Sequence, residues 1–596
     1  MRYLQNIAGI VLLAGIGILV GCSELDDNQT GGTGYGSVTV TFNQSTLRTL
    51  YPDTTQITKY EISFAGPETK ESELIAVNGT KTVNLEVGTW TITVTAYAGA
   101  TPTAAGSQGV TITDGGAATA NITLAPVTGN GTFTYSIEFP NSIDSVTLTI
   151  SNLDGTVPTN GTFTMPPSAI AAGRWTGEQT FAAGYYFMNL QVWKGDLVAG
   201  KTEVVHIFAG LTTATPTYTF TDNEDFTLSG IPVVNINTTA SGAAITATYQ
   251  PATIRIASTT DPLPNSGVKI KLDADSGLYK KSYNIELDAA TALFGEAADK
   301  EWVLLANDND PTLLHTDALF KMGKLSRLGW TPCSHFVNLY INGAYCGIYQ
   351  LTESIKIAAN RVNVTDNGYL LTLDTTLPVP NTSHFQTSGG SSGFWVTIKE
   401  PSEGKTGARK ITIEDYVNEM ETYLYGLAGC RDHLDTISSV DWYLINELAK
   451  NENTGLWLNY DYNAADAKLK LGPIWNYGNS FQQASSGFVW KGVAWFGDNI
   501  SDPGLFFCWE FPNLVKNRFP YFKSKQAEIL TNIDEKVASV RKSIVQNSKR
   551  WQGTSSGNNL GNTSDVILPA YDAKVQEMKT WITARFTWLE AEINAL

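Results

Sequence analysis

The chain is poor in the residues that ligate metals and staple small folds. Its 596 residues include five cysteines and five histidines, and no two cysteines stand as Cys-x-x-Cys. Both facts argue against a structural zinc module, whose ligands come in closely spaced pairs. Apart from Cys22, only Cys333, Cys346, Cys430 and Cys508 remain, too few for a disulfide framework. Cys333 and Cys346 read either as a disulfide across neighbouring strands or as two buried thiols. Positive charge is also scarce: 40 Lys and Arg against 57 Asp and Glu give a net charge of −17. Such a surface repels phosphate backbones, which excludes nucleic acid as a partner. Beyond Val20 no apolar run approaches the ~20 residues needed to cross a bilayer as a helix.

What is present begins with residues 1–22. Arg2 precedes an apolar run from Ile7 to Val20, broken by Gly9, Gly15 and Gly17 and closing on Leu19-Val20-Gly21-Cys22. That ending resembles the lipobox of bacterial lipoproteins. The segment reads as a cleaved signal rather than a retained helix, leaving an acylated Cys22 held by outer-membrane lipid. Ser23-Glu24-Leu25-Asp26-Asp27 resembles the acidic export signals that carry some Gram-negative lipoproteins to the outer face, although the same acids suit a solvated linker. The expected location is the cell surface, on a lipid anchor.

Residues 23–36 are Gly/Thr-rich and read as a flexible linker. A period of two then sets in. Strand-like runs such as Ser37–Phe42, Trp90–Tyr97 and Ala120–Leu124, then Phe133–Phe139, Val146–Ile150 and Tyr186–Trp193, alternate apolar and polar residues between turn signals. Val87-Gly88-Thr89-Trp90 recurs as Ala183-Gly184-Tyr185-Tyr186, so two all-β, immunoglobulin-like sandwiches are expected, over 37–126 and 127–228. Trp90, Trp175 and Trp193 suit their cores, or sugar stacking. His206 reads as an interior residue.

Residues 229–596 mix strands and helices and read as an α+β domain. Phe336–Gly343 and Gly347–Thr352 predict a hairpin turning at Asn342-Gly343. Helical periodicity covers 317–328, 413–425, 441–451, 526–551 and 564–596, with Trp581 and Trp588 on a packing stripe.

Several separated blocks lie in this region: Tyr279-Lys280-Lys281-Ser282-Tyr283, Asp310-Pro311-Thr312-Leu313-Leu314, Leu351-Thr352-Glu353, Arg361-Val362-Asn363, Asn446-Glu447-Leu448 and Gly472-Pro473-Ile474-Trp475. Their order and spacing resemble the spore-coat protein H (CotH) kinase family. The resemblance implies an atypical protein-kinase fold that binds Mg²⁺ and ATP and transfers a phosphoryl group to serine. It places Lys280, Lys281, Glu353 and Arg361 at the nucleotide, with Glu353 pairing one of the lysines. It also places the base-like acid at residue 453 and the metal acid at residue 476. This chain has Asn453 and Asn476 there, 23 positions apart. Asp273-Ala274-Asp275-Ser276 stands where the family tends to have Arg-Gly-Asn-Ser, and His315-Thr316 where an Arg-Asn pair is expected. An amide offers Mg²⁺ one neutral oxygen in place of a carboxylate, and each lost electrostatic group costs roughly 10²–10³ in rate. Glu452 or Asp461 is the candidate substitute ligand.

Three functions follow as expectations. The first is a degenerate, pseudokinase domain that binds or scaffolds an extracytoplasmic protein. The second is an active secreted kinase using Mg²⁺ and ATP. The third is a glycan-binding adhesin whose aromatic residues line a sugar cleft.

Overall fold

Alternating burial shows how the period-two segments fold. The computed structural model describes residues 34–596 except 45–49, 77–79, 154–155, 196, 222–229, 240–244, 259, 274–276, 366, 375–382, 389–392, 403–405, 427–429, 452–455, 476–477, 499–503, 508–509 and 562. The described residues form two compact units. One comprises the described part of Met1–Asn43 with Lys59–Thr95 and Gly106–Leu124; the other comprises Gln44–Thr58, Ala96–Ala105 and Ala125–Leu596. None of the helices among the described residues is long and apolar enough to cross a membrane.

In the first unit the strands form one seven-stranded sheet, ordered Glu73–Ile75, Lys59–Ala65, Gly88–Ala98, Thr101–Ile112, Ala117–Pro126, Tyr35–Gln44, Thr80–Glu86. One continuous sheet therefore stands where two facing sheets were expected. Val38, Val40, Trp90, Ile92, Val94, Ile122 and Leu124 point inward and are buried. The rings of Phe42 and Tyr60 lie 4.7 Å apart although their strands are four places apart in the sheet, so the sheet curls until its inner face packs on itself. A Cβ at Gly66 would stand 2.3 Å from the Trp90 ring, which reserves that position for glycine.

The second unit opens with two sheets that share one core. A four-stranded sheet runs Thr162–Thr164, Ser145–Asn152, Gly184–Lys194, Leu197–Ile207. A three-stranded sheet runs Arg174–Ala182, Asn130–Glu138, Thr212–Thr219, the last two parallel. Phe133, Leu148, Ile150, Trp175, Met188 and Leu190 fill the space between them. Trp90, Trp175 and Trp193 are all buried, so none of the three is available to stack on a sugar.

The strand Gly184–Lys194 is buried along almost its whole length on both faces. Met188, Leu190 and Val192 face the core just described. Phe187, Asn189, Gln191 and Trp193 face a closed seven-stranded barrel, ordered Val233–Thr238, Gln250–Ala257, Leu263–Leu272, Tyr283–Thr291, Asp299–Leu305, Ala344–Glu353, Ser334–Ile341. The Tyr345 N–H donates to Asn189 Oδ1 at 3.0 Å, and Gln191 Nε2 donates to Asn235 Oδ1 at 2.8 Å. The Arg255 guanidinium lies 3.9 Å from the Trp193 ring centroid. Trp193, Val198, Val233, Tyr340 and Tyr345 make a shared apolar cluster. Buried hydrogen-bonded amides and a stacked guanidinium fix one orientation, because any slip leaves them unpaired.

The expected hairpin is present. Ser334–Ile341 pairs with Ala344–Glu353, and Asn342 and Gly343 take positive φ values of 51° and 80°, the backbone a two-residue turn of this kind needs. Cys333 and Cys346 are free thiols. Ser334 pairs with Thr352 and Ile341 with Ala344, so the two sulfurs sit at opposite ends of the hairpin and cannot bond.

The expected helices appear as His315–Lys324, Gly407–Tyr425, Thr436–Ala449, Gln526–Arg550 and Ser564–Asn594. With a five-stranded sheet ordered His384–Gln386, Trp395–Glu400, Gly368–Asp374, Leu456–Asp461, Lys470–Leu471, they enclose the largest core. In the last helix Ile567, Tyr571, Val575, Met578, Ile582, Phe586 and Leu589 recur at helical spacing and are buried. Trp581 and Trp588 flank that stripe, packed edge-on to Phe481 and Phe488. Helix Gln526–Arg550 touches two parts at once: on the sandwich strand its Gln546 donates to Thr202 Oγ1 at 2.8 Å and its Lys549 pairs with Glu203 at 3.3 Å, and on the barrel its Asn547 accepts from the Ile348 N–H at 2.8 Å.

Arg550 anchors this junction. Its Nε donates to the Tyr345 carbonyl at 2.8 Å, and its guanidinium lies 4.5 Å from the Phe187 ring centroid and 4.2 Å from that of Trp551. Replacing it with alanine strands a buried carbonyl and removes both stacks. Arg550→Ala is expected to lower stability by about 2–4 kcal/mol, seen as a lower urea midpoint in one transition shared by residues 125–596.

Candidate functional site

The site implied by the sequence motifs is built around the segment after strand Lys470–Leu471. The Gly472–Pro473 peptide is cis, the Gly472 N–H donates to the Trp457 carbonyl at 2.8 Å, and Asn459 Nδ2 donates to the Gly472 carbonyl at 3.1 Å. Ile474 is buried, and Trp475 packs near Phe320 with ring centroids 6.3 Å apart. Asn476 lies outside the described residues, as do Asn453, Glu452 and Cys22. Of the Asp273-Ala274-Asp275-Ser276 segment only Asp273 is described; it accepts from Asn284 Nδ2 at 3.1 Å.

The described flanks show how the loop is held. Asp310 is fully buried and accepts from the Thr312 N–H and hydroxyl, at 2.8 and 2.6 Å, and from the His315 N–H at 2.7 Å. The His315 ring then bridges Asp310, 3.3 Å from Nε2, and the Gly478 carbonyl, 3.0 Å from Nδ1. Gln482 donates to the Asn309 carbonyl at 3.0 Å, and the Phe481 N–H donates to the Ala449 carbonyl at 3.0 Å. His315, read from sequence as a weak replacement for arginine, ties the motif loop to the start of its own helix.

The approach to residues 452–455 is equally fixed. Asn451 Nδ2 donates to Asn446 Oδ1 at 2.9 Å. Glu447 accepts from the N–H groups of Val489, Trp490 and Lys491 and pairs with Arg585 at 2.8 Å, both side chains fully buried. Burial pushes the Glu447 carboxyl up, against those hydrogen bonds and the Arg585 charge. Asp461 accepts from the Thr365 N–H and hydroxyl, at 3.1 and 2.6 Å, and from the Asn463 N–H at 3.0 Å. Its oxygens thus fasten a neighbouring turn.

The four residues assigned to nucleotide separate into two places. Lys280 is 0% exposed. Its ammonium donates to the Ile348 carbonyl at 2.5 Å and to Asn558 Oδ1 at 3.0 Å, and lies 4.8 Å from the Tyr349 ring centroid. Asn558 is in turn held by Asn547 Nδ2 at 3.1 Å and donates to the Asn307 carbonyl at 3.0 Å. Burial pulls the Lys280 amine down to about 7, with Asp308 opposing. Lys281 is half-buried, and its carbonyl accepts from the Tyr349 hydroxyl at 2.8 Å.

Glu353 pairs with Arg361 instead of with a lysine. The reason is the strand: Ile348, where Lys280 is bound, and Glu353 are five residues apart, or ~17 Å at the rise of a β-strand. Arg361 is fully buried, 3.8 Å from Asp299 and over the Trp302 ring. Glu353 also accepts from the Cys333 N–H at 2.8 Å. Burial raises its carboxyl in spite of that hydrogen bond and the Arg361 charge.

One group of metal-capable side chains comes together among the described residues: Glu296, Cys333 and Glu353, with ligand atoms within 4.8 Å of one another. Lys324 Nζ stands 3.0 Å from the Cys333 sulfur, His335 Nε2 stands 2.9 Å from Glu296, and Arg361 pairs with Glu353. Arg361 balances Glu353, while burial pulls the His335 ring down toward its neutral form and leaves it a hydrogen-bond partner of Glu296, so the group is already paired within itself at the Glu353 end of the barrel. Sequence reasoning missed Asn558, Arg585 and the Asp310–His315 bridge. The first two lie 278 and 138 residues from their partners with no local pattern, whereas Asp310 and His315 lay inside or beside a motif already singled out.

Residues 273–589 match the family model described as CotH kinase protein. A comparison with curated proteins returns no match. Similar solved structures include a DUF3823 family protein from Parabacteroides merdae, 11% identical over 31% of this chain and 100% of that one, TM-score 0.12. The tip fimbrial protein Mfa3 from Porphyromonas gingivalis is 12% identical over 28% of this chain and 81% of that one, TM-score 0.15. The TIE protein of Bacillus anthracis is 12% identical over 45% and 48%, TM-score 0.14.

The Lys280 amine yields a pH test. Its folded value lies below that of a free lysine, so between about pH 7 and 10 the unfolded chain binds the extra proton, and stability rises with pH across that window. Below about pH 7 both states are protonated and the full cost of burying the charge remains. Wild type is therefore expected to gain stability relative to Lys280→Met as pH rises from 7 to 10, measured by urea midpoints at each pH; a constant difference contradicts the burial.

Proposed function

The chain belongs to the CotH kinase protein family, and from that premise we propose that its C-terminal part is a degenerate kinase domain that binds or scaffolds an extracytoplasmic protein without phosphorylating it. The carrying observation is Lys280, enclosed within the protein with its ammonium bound to Ile348 and Asn558. A cation serves a γ-phosphate only where the phosphate can reach it, and this one is spent on the barrel and the C-terminal segment. Arg361 is likewise committed to Glu353. The amides at Asn453 and Asn476 remove negative charge from the positions where the family resemblance puts its acids. In this reading the barrel with its helical partner is an atypical kinase fold, and the β-rich parts at 37–126 and 127–228, a single curled sheet and a two-sheet sandwich, are modules that present it. Cys22 carries the lipid, at the outer face of the outer membrane.

The kinase alternative is tested by incubating the purified chain with γ-labelled ATP, Mg²⁺ or Mn²⁺, and a generic protein acceptor. No label is expected on the acceptor or on the chain itself, and no magnesium-dependent thermal shift with ATP. Transfer above that of the Asn453→Ala/Asn476→Ala variant overturns the reading in favour of a working kinase with Mg²⁺ and ATP as cofactors. The anchor is tested separately: growth with a radiolabelled fatty acid is expected to label the wild type, and Cys22→Ser to abolish the label. Equal labelling of both refutes the lipid assignment.

A further inference from the structure

Two adjoining cavities, of about 200 and 180 Å³, share Arg327 and Ile437 and form one groove between the turn after helix His315–Lys324 and the start of helix Thr436–Ala449. Behind the lining lies Asp441, fully buried and gripped by two arginines that do line it. Arg327 donates its Nη2 at 2.6 Å and its Nε at 3.2 Å, and its main-chain N–H bonds at 2.7 Å. Arg518 donates Nε and Nη2, both at 2.9 Å. Burial pushes the Asp441 carboxyl up, but these arginine hydrogen bonds outweigh it and hold the group below its usual range. Two guanidinium groups on one carboxylate leave a net positive charge, and the Nη1 of each takes no part in the pairing. Arg327 keeps 42% of its side-chain surface exposed.

The rim adds to this. Lys470 is exposed on the wall, and Asp435, which accepts from the Ser438 N–H at 2.6 Å, keeps its negative charge there, so Arg327, Arg518 and Lys470 outnumber the carboxylates of Asp441 and Asp435 by one. Asn363 and Asn459 supply amides, and Trp330 and Val362 supply apolar wall. Ile437 and Leu514 are 49% and 39% exposed and flank the arginines. The chain as a whole carries −17, so a basic groove edged with exposed apolar side chains is a local inversion of its surface.

We propose that this groove binds an extended acidic segment of a partner protein, with a carboxylate on the Arg327/Arg518 pair and neighbouring apolar side chains on Ile437, Leu514 and Trp330. Arginines prefixed in orientation by a buried acid lose little side-chain entropy on binding, and their planar forks suit a carboxylate. Two side-chain-sized pockets in series along one groove match a peptide whose alternate residues point the same way. The groove is lined also by Gly472 and Pro473 of the motif segment, but by none of Lys280, Lys281, Glu353 and Arg361; peptide binding is read without ATP, so its failure and that of the non-phosphorylating reading are distinguishable.

An array of immobilised heptapeptides, each with one Asp or Glu between Leu, Ile or Phe residues, is probed with the full chain at low ionic strength. Acidic members are expected to outbind their Asn or Gln counterparts, and the best of them to lose about tenfold or more in affinity with Ile437→Glu or Lys470→Glu. Neither variant touches the Asp441 pairing, so both are expected to fold like wild type by circular dichroism. Ile411→Glu, at a 58% exposed position on another helix, is expected to bind unchanged. The proposal is overturned if acidic peptides gain nothing over their amides, if both groove variants bind like wild type, or if inorganic phosphate at equal ionic strength displaces the peptides as well as free acidic peptide does.

Discussion

A lysine amine sealed between the barrel and the long helix constrains the rest of the C-terminal part. An ammonium withdrawn from water must find partners or give up its proton. Here the amine is bonded to the Ile348 carbonyl and Asn558, and burial pulls it down to about 7. Asn558 then has to be held, which Asn547 of the long helix and the Asn307 carbonyl accomplish. Asn547 also takes the Ile348 N–H. Barrel strand, long helix and the segment before the last helix are thus closed into one circuit around a single charge.

The same economy recurs at other buried charges. Glu353 and Arg361 neutralise each other at the far end of the strand, Glu447 and Arg585 do so behind the motif segment, and Asp441 takes two arginines at once. Breaking one partner from such a pair leaves an uncompensated charge, at a cost of about 3–5 kcal/mol. These pairs join elements that are distant in the chain and so determine which surfaces meet. Only the Asp441 arrangement carries a surplus, and that surplus opens onto a groove.

Local chemistry was legible in the sequence. Asn342-Gly343 announced its turn because few residues tolerate that backbone, and the five helices announced themselves by apolar spacing, with ends off by a few residues. Long-range pairing was not legible. Nothing near Glu353 distinguishes Arg361 from Lys280 as its partner until the strand supplies a length, and Asn558 is an unmarked asparagine in a polar turn. The strand Tyr186–Trp193 shows the intermediate case. Its Asn189 and Gln191 read as solvent-facing under strict alternation, yet both are buried because the barrel covers that face. In the first sheet alternation marked most strands but not Glu73–Ile75 or Thr101–Ile112, and whether seven strands make one curled sheet or two facing ones depends on pairings that alternation leaves open.

That doubly covered strand also limits how the gene can be rearranged. Sandwich units are commonly imagined as interchangeable beads, yet Gly184–Lys194 has its outward amides and Trp193 matched to Asn235, Tyr345 and Arg255 on the barrel. Transplanting the barrel and helices behind a foreign sandwich would leave those groups facing mismatched chemistry, so recombination has to carry residues 130–596 as one inherited block.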